Sequence, residues 1–224
     1  MSRVRRRRVR LRLDIHEFER PFLEYFRSKR VKLFYDTFDI NSHTRVLDLG
    51  GTDFFWELAR RLGFPTPKVT IVNLDKPRTT LPEYIEWRIA NALQIDLPDN
   101  SFDIVFCNSL IEHLSSWEQQ SALAHEARRL APRHFVQTPS RRFPIEPHFL
   151  TPAVHWLPKG TRARMIRNFT VWGVITRPSS GRCHDLVEEI RLLGSEEMVR
   201  LFPSSELRVE KFLGFQKSLI ALQE

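Results

Sequence analysis

The sequence predicts an α/β fold with a mostly parallel sheet, and three observations support it. Short apolar strands alternate with helical stretches between about residues 45 and 137, and the first strand ends in the glycine pair Gly50 and Gly51. The chain closes with two apolar strands joined by a tight turn at Gly214 and Phe215. Strands that alternate with helices form parallel sheets, whereas strands joined by a tight turn are antiparallel. We therefore expect helices on both faces of a parallel sheet, with an antiparallel C-terminal hairpin.

The positive charge of the chain is concentrated at its N-terminus. Seven of the first twelve residues are arginine, so residues 13–224 carry only +1 of the net charge of +8. We interpret residues 1–12 as a disordered basic arm, either a solubilising tail or a segment that binds an anionic membrane surface or, less favoured, nucleic acid. No apolar run is long enough to cross a bilayer. We expect a cytoplasmic protein, peripheral to the inner face of the membrane if the arm binds lipid.

Residues 13–224 are predicted to form one domain that begins with a helix. Asp14 and Glu17 have the residue types and spacing of a capping box, and apolar residues at helical spacing follow to about Tyr35. The predicted strands cover residues 45–49, 69–74, 84–89, 102–107 and 134–137, and the hairpin covers residues 207–213 and 217–222. The predicted helices after the first cover residues 54–62, 117–130, 159–168 and 184–193.

A segment rich in proline and aromatic residues interrupts the alternation at about residues 139–160. Five prolines lie between residues 139 and 158, among Phe, His and Trp side chains that flexible linkers rarely contain. This composition predicts a structured insertion. Apolar walls with a few fixed polar groups, here Glu146 and His148, are typical of a substrate pocket.

Two motifs together resemble a known family. The stretch VLDLGG at residues 46–51 is similar to the first motif of class I S-adenosylmethionine-dependent methyltransferases, of the type 11 methyltransferase domain. The stretch IDLPDNSFDIVFCNSLIEHL, about fifty residues later at 95–114, resembles the region around the fourth strand of that family. The likeness covers about residues 40–222. It implies a Rossmann-like three-layer α/β/α sandwich with a seven-stranded sheet, methyltransferase activity and S-adenosylmethionine as the cofactor.

The resemblance also assigns cofactor contacts by position. It implies that a carboxylate and glycine backbone at the end of the first strand contact the amino-acid part of the cofactor, and that polar groups at the end of the second strand contact the ribose. Groups after the third and fourth strands would contact the adenine and the methionine end. The residues at these places are Asp48, Gly50 and Gly51; Asn73 and Asp75; Asn91 and Ala92; and Asn108 and Ser109.

The glycine turn departs from the pattern of the family. The family commonly has Gly-x-Gly-x-Gly after the acid, whereas this chain has Gly-Gly-Thr-Asp-Phe at residues 50–54. Thr52 and Phe54 would cap and staple the next helix or would narrow the pocket. In addition, Asn73 and Asn91 stand where the family often has an acid, although each retains hydrogen-bonding capacity.

Three residues are candidates for catalysis. A hydroxyl acceptor needs a base, and histidine titrates near neutral pH. His113 follows the fourth strand, while Glu146 and His148 lie in the insertion. The structural alternative is that His113 packs over the cofactor and that Glu146 and His148 pair only to hold the loop. The spacing of Glu146, His148 and His155 matches no standard metal signature, so no metal site is predicted.

The sequence leaves three functions open. Methylation of a small molecule, sugar or glycan, on oxygen, is favoured by the insertion. An RNA methyltransferase is favoured only by the basic arm, and the near-neutral charge of the remaining chain argues against it. A non-catalytic nucleoside-binding α/β protein is the third, because the glycine turn departs from the family pattern. A nicotinamide dinucleotide site would need Gly-x-Gly-x-x-Gly, which is absent after Asp48.

Overall fold

The computed structural model describes the backbone of residues 15–224 and the side chains of residues 24–224. The predicted basic arm at residues 1–12 and the predicted N-cap Asp14 lie outside the described residues. The capping-box residue Glu17 belongs to the first helix, but its side chain is not among those described. The predictions about a membrane, nucleic acid or solubilising role of the arm therefore stay predictions.

The helices and strands follow the predicted alternation. The first half of the chain comprises α1 (Ile15–Thr37), β1 (Arg45–Leu49), α2 (Asp53–Arg61), β2 (Lys68–Asn73), β3 (Ile85–Ile89), β4 (Ile104–Asn108), α3 (Trp117–Leu130) and β5 (Arg133–Pro139). The second half comprises β6 (Ile145–Glu146), β7 (Thr151–Pro152), α4 (Lys159–Phe169), α5 (Val171–Thr176), α6 (Ser180–Glu189), α7 (Ser195–Leu201), β8 (Glu206–Phe212) and β9 (Phe215–Gln223). Short 3₁₀ turns lie at Ile111–His113 and Val154–Trp156.

Seven of these strands form one sheet, which confirms the predicted fold class. Their order is β3-β2-β1-β4-β5-β9-β8. Strands β1 to β5 run parallel, whereas β9 is antiparallel to both β5 and β8. The order reverses beside β1, because the chain moves outward through β2 and β3 and then returns to the other side. Ligands of open α/β sheets bind at such a switch point, at the carboxyl ends of the strands.

Both faces of the sheet are covered, so successive residues of the inner strands are buried on opposite sides. Val46 of β1 packs in an apolar cluster with α1 and α2, whereas Leu47 and Leu49 pack in a second cluster with α3 and α7. Burial on both faces explains why these strands are nearly continuous apolar runs. Asp48 is the exception in β1, and its side chain hydrogen-bonds to Trp56 of α2.

The region after the insertion differs most from the sequence-based expectation. The helix predicted at residues 184–193 lies instead at Ser180–Glu189, because the Ser179 hydroxyl caps it by accepting from the Arg182 N–H. The chain leaves the helix after Glu189, and the Arg191 N–H donates to the Glu112 carbonyl. Helices α5 and α7 were not predicted. A separate apolar cluster joins α4 and α6 beneath the insertion.

Smaller differences concern element ends. Helix α1 extends to Thr37, and the hairpin turn lies at Leu213 and Gly214 instead of Gly214 and Phe215. Both turn residues have positive φ, 49° and 83°, which a two-residue turn between twisted strands requires. Among the described helices, none combines the length and the apolar character that a bilayer crossing demands.

Candidate active site

A cavity of about 420 Å³ opens at the carboxyl ends of the central strands. The turns after β1 and β4, the end of β5, helix α1, the insertion and the C-terminal hairpin all contribute to its walls. Most of the insertion and hairpin residues that line it are apolar, including Phe143, Ile145, Leu150 and Phe212. This is the switch point of the sheet, and the volume falls in the usual range for small-molecule sites.

Asp48 lines the cavity although it is only 1% exposed. Its Oδ2 accepts a hydrogen bond from the Trp56 Nε1–H at 2.9 Å, and its Oδ1 has no partner among the described residues. Burial raises the pKa of Asp48 to about 7, and the bond from Trp56 opposes this shift. A buried carboxylate oxygen without a donor favours a cationic ligand, because a nearby positive charge stabilises the ionised form.

The glycine turn wraps closely around the Asp48 carboxylate. A Cβ on Gly51 would overlap the Asp48 carboxylate, and a Cβ on Gly50, where φ is +72°, would lie 2.7 Å from the Leu110 side chain. Glycine is therefore required at Gly51 by close approach to the buried carboxylate and at Gly50 by the positive φ. The predicted narrowing by Thr52 and Phe54 does not close the site, since both line a cavity that reaches Asp48.

Asn73, at the end of β2, supports this turn. Its Nδ2 donates to the Gly51 carbonyl at 3.0 Å, and its Oδ1 accepts from the Asp75 N–H at 3.0 Å. The Asp75 side chain is exposed, and its carboxylate makes no hydrogen bond within the described part of the chain. Of the two residues predicted to face the ribose, Asn73 uses its side chain to hold the glycine turn, whereas the Asp75 carboxylate oxygens are available to accept hydrogen bonds.

Asn91 and Ala92 follow β3, apart from the cavity wall. Asn91 is exposed, and its Oδ1 accepts from the Leu93 N–H at 3.0 Å, as in an Asx turn. One lone pair of that oxygen remains for a further donor. The cavity is therefore lined by residues predicted to contact the methionine part of the cofactor, and not by those predicted to contact the adenine.

Asn108 and Ser109, at the end of β4, line the cavity together with Gln137 of β5. Ser109 has a positive φ of 59°, and its hydroxyl donates to Oε1 of Gln137 at 3.0 Å. The same Gln137 oxygen accepts from Arg30 at 3.0 Å, and Arg30 also donates to Oδ1 of Asn108 at 3.2 Å. These bonds fix the orientation of the Gln137 amide and leave its buried Nε2 with no acceptor among the described groups.

Sequence reasoning missed a network of charged residues on the hairpin side of the cavity. Arg30 of α1 donates to both carboxylate oxygens of Glu210 and to the Ser218 hydroxyl. Lys217 donates to Glu210 at 3.0 Å, and its ammonium lies 3.9 Å from the centroid of the Phe26 ring. Burial, together with the charge of Arg30, lowers the pKa of Lys217 to about 8, with Glu210 opposing the shift. Arg30 and Glu210 are 180 residues apart, so no local pattern indicates their contact.

Comparison with known families decides the class of the protein. Residues 47–134, which contain the second motif, all but the first residue of the first motif and four of the strand ends described above, match a family model described as a methyltransferase domain. The chain carries a methyltransferase domain. The recognition made from residues 46–51 and 95–114 is thereby confirmed. No curated protein sequence matches the methyltransferase significantly.

Solved structures share the fold of this methyltransferase at low sequence identity. The 1,6-didemethyltoxoflavin-N1-methyltransferase of Burkholderia thailandensis is 11% identical with a TM-score of 0.55, and the match covers 92% of this chain and 81% of that one. Human N-acetylserotonin methyltransferase is 14% identical with a TM-score of 0.54, covering 90% and 53%. Magnesium protoporphyrin IX methyltransferase of Synechocystis PCC 6803 is 10% identical with a TM-score of 0.53, covering 94% and 88%. At these identities the likeness concerns the fold.

The predicted catalytic residues form a cluster of their own in the methyltransferase. The His148 ring lies edge-on to His113, with ring centroids 4.9 Å apart, and its Nδ1 is 2.7 Å from Oε1 of Glu146. Glu146 also accepts from the Phe149 N–H at 2.7 Å. Ile145 and Pro147 line the cavity, whereas Glu146 and His148, which alternate with them, do not. His113 is likewise absent from the cavity wall.

Burial and charge shift the pKa values of the residues in this cluster. Burial lowers the pKa of His148, but the hydrogen bond and charge of Glu146 and the charge of Glu112 outweigh it and leave that pKa raised. Burial and the neighbouring His148 lower the pKa of His113. Burial raises the pKa of Glu112, which is fully buried beside them. The sequence-based pairing of Glu146 with His148 is thus present, and a catalytic role for His113, Glu146 and His148 stays a prediction.

Proposed function

We propose that this methyltransferase uses S-adenosylmethionine to methylate a hydroxyl group of a small, largely apolar acceptor. The observation that carries the proposal is the cavity at the switch point of the sheet. Its wall includes one buried acceptor atom, Oδ1 of Asp48, and one buried donor atom, Nε2 of Gln137, neither of which has a partner among the described residues. Buried polar atoms are normally paired, and ligand groups would satisfy these two.

The residues around the glycine turn suit the cofactor. Oδ1 of Asp48 would accept from the ammonium group of the methionine part, and the backbone of Gly50 and Gly51 would approach it without a Cβ in the way. The unoccupied carboxylate of Asp75 would accept from the ribose hydroxyls, with Asn91 and Ala92 beside the adenine. When bound, the cofactor supplies an electrophilic methyl group on its sulfonium. The Burkholderia and Synechocystis enzymes were crystallised with S-adenosylhomocysteine, and the human enzyme was crystallised with S-adenosylmethionine.

The other end of the cavity suits a small acceptor. The space of about 420 Å³ includes the approach to Asp48, so the room left beside a methionine group is limited. Phe143, Ile145 and Leu150 of the insertion provide apolar walls, and Gln137 Nε2 provides a donor for the oxygen of the acceptor. Holding the acceptor oxygen in place and excluding water are the main tasks of the protein in methyl transfer.

Lys217 is the group on the cavity wall best suited to remove the hydroxyl proton. With a pKa of about 8, a sizeable fraction of its amine is neutral at slightly alkaline pH and able to accept a proton. Arg30 and Glu210 hold the surrounding charges in place, which keeps the amine at the cavity wall. The predicted bases His113 and His148, with Glu146, are the alternative, and one experiment distinguishes the two assignments.

The test combines cofactor binding with methyl transfer. The full chain is titrated with S-adenosylhomocysteine by calorimetry, and a panel of small phenols, hydroxy acids, sugars and amines is incubated with isotopically labelled S-adenosylmethionine and examined by mass spectrometry. We expect binding with one equivalent and label on hydroxyl oxygen. Absence of binding contradicts the cofactor assignment, and label confined to amines or thiols contradicts O-methylation.

The base assignment is tested with variants of the same chain. We expect Lys217→Met to lower kcat roughly 100-fold and to remove the alkaline rise of the pH profile, with S-adenosylhomocysteine affinity changed less than about 2-fold. Lys211→Met on the exposed face of β8 is the matched control and should retain full activity. If Lys217→Met retains the pH profile and His148→Ala loses it, the base lies in the insertion instead.

A further inference from the structure

Glu112, His113 and His148 bring three metal-ligating groups together beside the cavity. One ligand atom from each residue lies within 4.8 Å of the other two. Glu112 and His113 belong to the 3₁₀ turn after β4, whereas His148 comes from the insertion. The sequence-based search for a metal site examined Glu146, His148 and His155, and the fold instead places His148 next to the turn after β4.

The Glu112 carboxylate has an unsatisfied oxygen. The residue is fully buried, and its Oε2 accepts from the Thr138 hydroxyl at 3.0 Å. Its Oε1 has no hydrogen-bond partner among the described residues. An unpaired buried carboxylate oxygen is costly, because its lost hydration is not replaced. A cation bound at the two histidines would supply the missing partner.

His148 is held in the orientation that metal-binding histidines usually have. Its Nδ1 is 2.7 Å from Oε1 of Glu146, and the other oxygen of that carboxylate accepts from the Phe149 N–H. The bond at Nδ1 leaves Nε2 available as a ligand. A carboxylate behind a histidine ligand is a common outer-shell arrangement, since it fixes the ring and increases the basicity of the ligating nitrogen.

We propose that Glu112, His113 and His148 bind a divalent ion of the zinc type. A set of two imidazole nitrogens and one carboxylate oxygen binds zinc in preference to magnesium or calcium. A water molecule would complete four-coordination. His113 is exposed and His148 is partly exposed, so the ion reaches the site from solvent. This proposal is independent of the methylation reaction.

The ion would join the insertion to the end of β4. Pro147 precedes His148 directly, and both Pro147 and Ile145 line the cavity. Arg191 also ties the segment after α6 to this place, through its N–H bond to the Glu112 carbonyl. A metal bridge between β4 and the insertion would therefore hold one wall of the cavity in position, as a structural ion and not as part of the cavity surface.

The test uses the full chain, freed of metal with a chelator that is then removed. It is titrated with Zn²⁺ in a thermal-denaturation assay and with Co²⁺ in visible absorption spectroscopy. We expect one equivalent of either ion, a higher Tm with Zn²⁺ and visible d–d bands with Co²⁺ that Zn²⁺ displaces. A wild-type chain that binds neither ion at micromolar concentration overturns the proposal.

Variants identify the ligands. His113→Ala and Glu112→Gln should lose the Co²⁺ bands and weaken Zn²⁺ binding at least 10-fold, and Glu146→Gln should weaken it roughly 10- to 100-fold through the orientation of His148. Exposed His184→Ala on α6 is the control and should bind as the wild type does. Because His113 is exposed, its removal should leave the circular dichroism spectrum unchanged. Unaltered Co²⁺ spectra in His113→Ala and Glu112→Gln would show that the ion binds elsewhere.

Discussion

The two ends of the cavity are built in different ways. The proposed cofactor end depends on neighbouring parts of the chain, with the Gly50–Gly51 turn directly after β1 and Asn73 of the adjacent strand β2 holding it. The proposed acceptor end depends on distant parts, since Arg30 of α1 contacts Glu210 and Ser218 of the hairpin. The comparison indicates that the proposed cofactor site depends on short motifs of a common fold, whereas the proposed acceptor site depends on how remote segments pack together.

The largest effect is expected from breaking the acceptor end. Arg30 and Glu210 have side chains only 9% and 12% exposed, so Arg30→Met leaves a buried carboxylate without its main partner. Burial alone would raise the pKa of Glu210, and the charges of Arg30 and Lys217 instead hold it below its usual range. We expect Arg30→Met to lower the free energy of unfolding by about 3 kcal/mol in urea denaturation.

The control for this variant is a similar ion pair at the surface. Arg45 pairs with Asp103 at 2.9 Å, but its side chain is 52% exposed. Arg45→Met should cost no more than about 1 kcal/mol, because solvent screens the pair. Equal effects of the two variants would contradict the importance that we give to the buried network.

The next effect concerns the cofactor end. Asp48→Asn retains an acceptor for Trp56 but removes the charge, so we expect S-adenosylhomocysteine affinity to fall roughly 10- to 100-fold by calorimetry, as for a charge-assisted hydrogen bond of about 1.5–3 kcal/mol. Asp36→Asn, in the exposed pair with Lys32, is the control and should bind normally. Unchanged affinity in Asp48→Asn would remove the carboxylate from the cofactor site.

The raised pKa of Asp48 predicts a pH dependence with a definite sign. Between the ordinary carboxyl value of 3.8 and about 7, the native state holds a proton that the unfolded state has lost. Stability of the ligand-free protein should therefore fall as pH rises through this window, and Asp48→Asn should abolish that fall and be more stable than the wild type at pH 8. Urea denaturation of both proteins at pH 5 and pH 8 measures it.

Cofactor binding should show the opposite trend. An ammonium ligand needs the ionised carboxylate, so affinity for S-adenosylhomocysteine should weaken as pH falls below about 7, by close to 10-fold per pH unit at the limit. Calorimetry at pH 6 and pH 8 measures the difference, and Asp48→Asn should show none of it. A wild-type affinity independent of pH would indicate that the carboxylate is not beside the ammonium group.

The smallest effect is expected at Asp75, which we assign to the ribose hydroxyls of the cofactor. Asp75→Asn should weaken S-adenosylhomocysteine binding about 5-fold, since it replaces one charged acceptor by a neutral one at an exposed position, worth about 1 kcal/mol. Asp96→Asn, which is also exposed but precedes β4, is the control. If Asp75→Asn binds normally and Asn73→Ala loses binding, the bond from Asn73 to the glycine turn is more important for cofactor binding than the Asp75 carboxylate.

The parallel strands were predictable because burial on both faces imposes continuous apolar runs. Val46, Leu47 and Leu49 are fully buried on alternate faces, and the strands that we predicted end within about two residues of those observed. The helix after the insertion was misplaced by four residues at each end, because the Ser179 cap and the Arg191–Glu112 bond determine its ends. Apolar spacing alone does not report such contacts.

By itself, the sequence determined the α/β class, the methyltransferase motifs and the placement of Asp48, Gly50 and Gly51, because each depends on local periodicity or on backbone conformation. Only the tertiary structure decided that Gln137 and Lys217 line the cavity, that Arg30 bonds to Gln137 and to the Glu210 that pairs with Lys217, and that His148 lies beside Glu112. The physical reason is that these contacts depend on the packing of α1, the insertion and the hairpin onto one sheet edge, and chain spacing does not encode that packing.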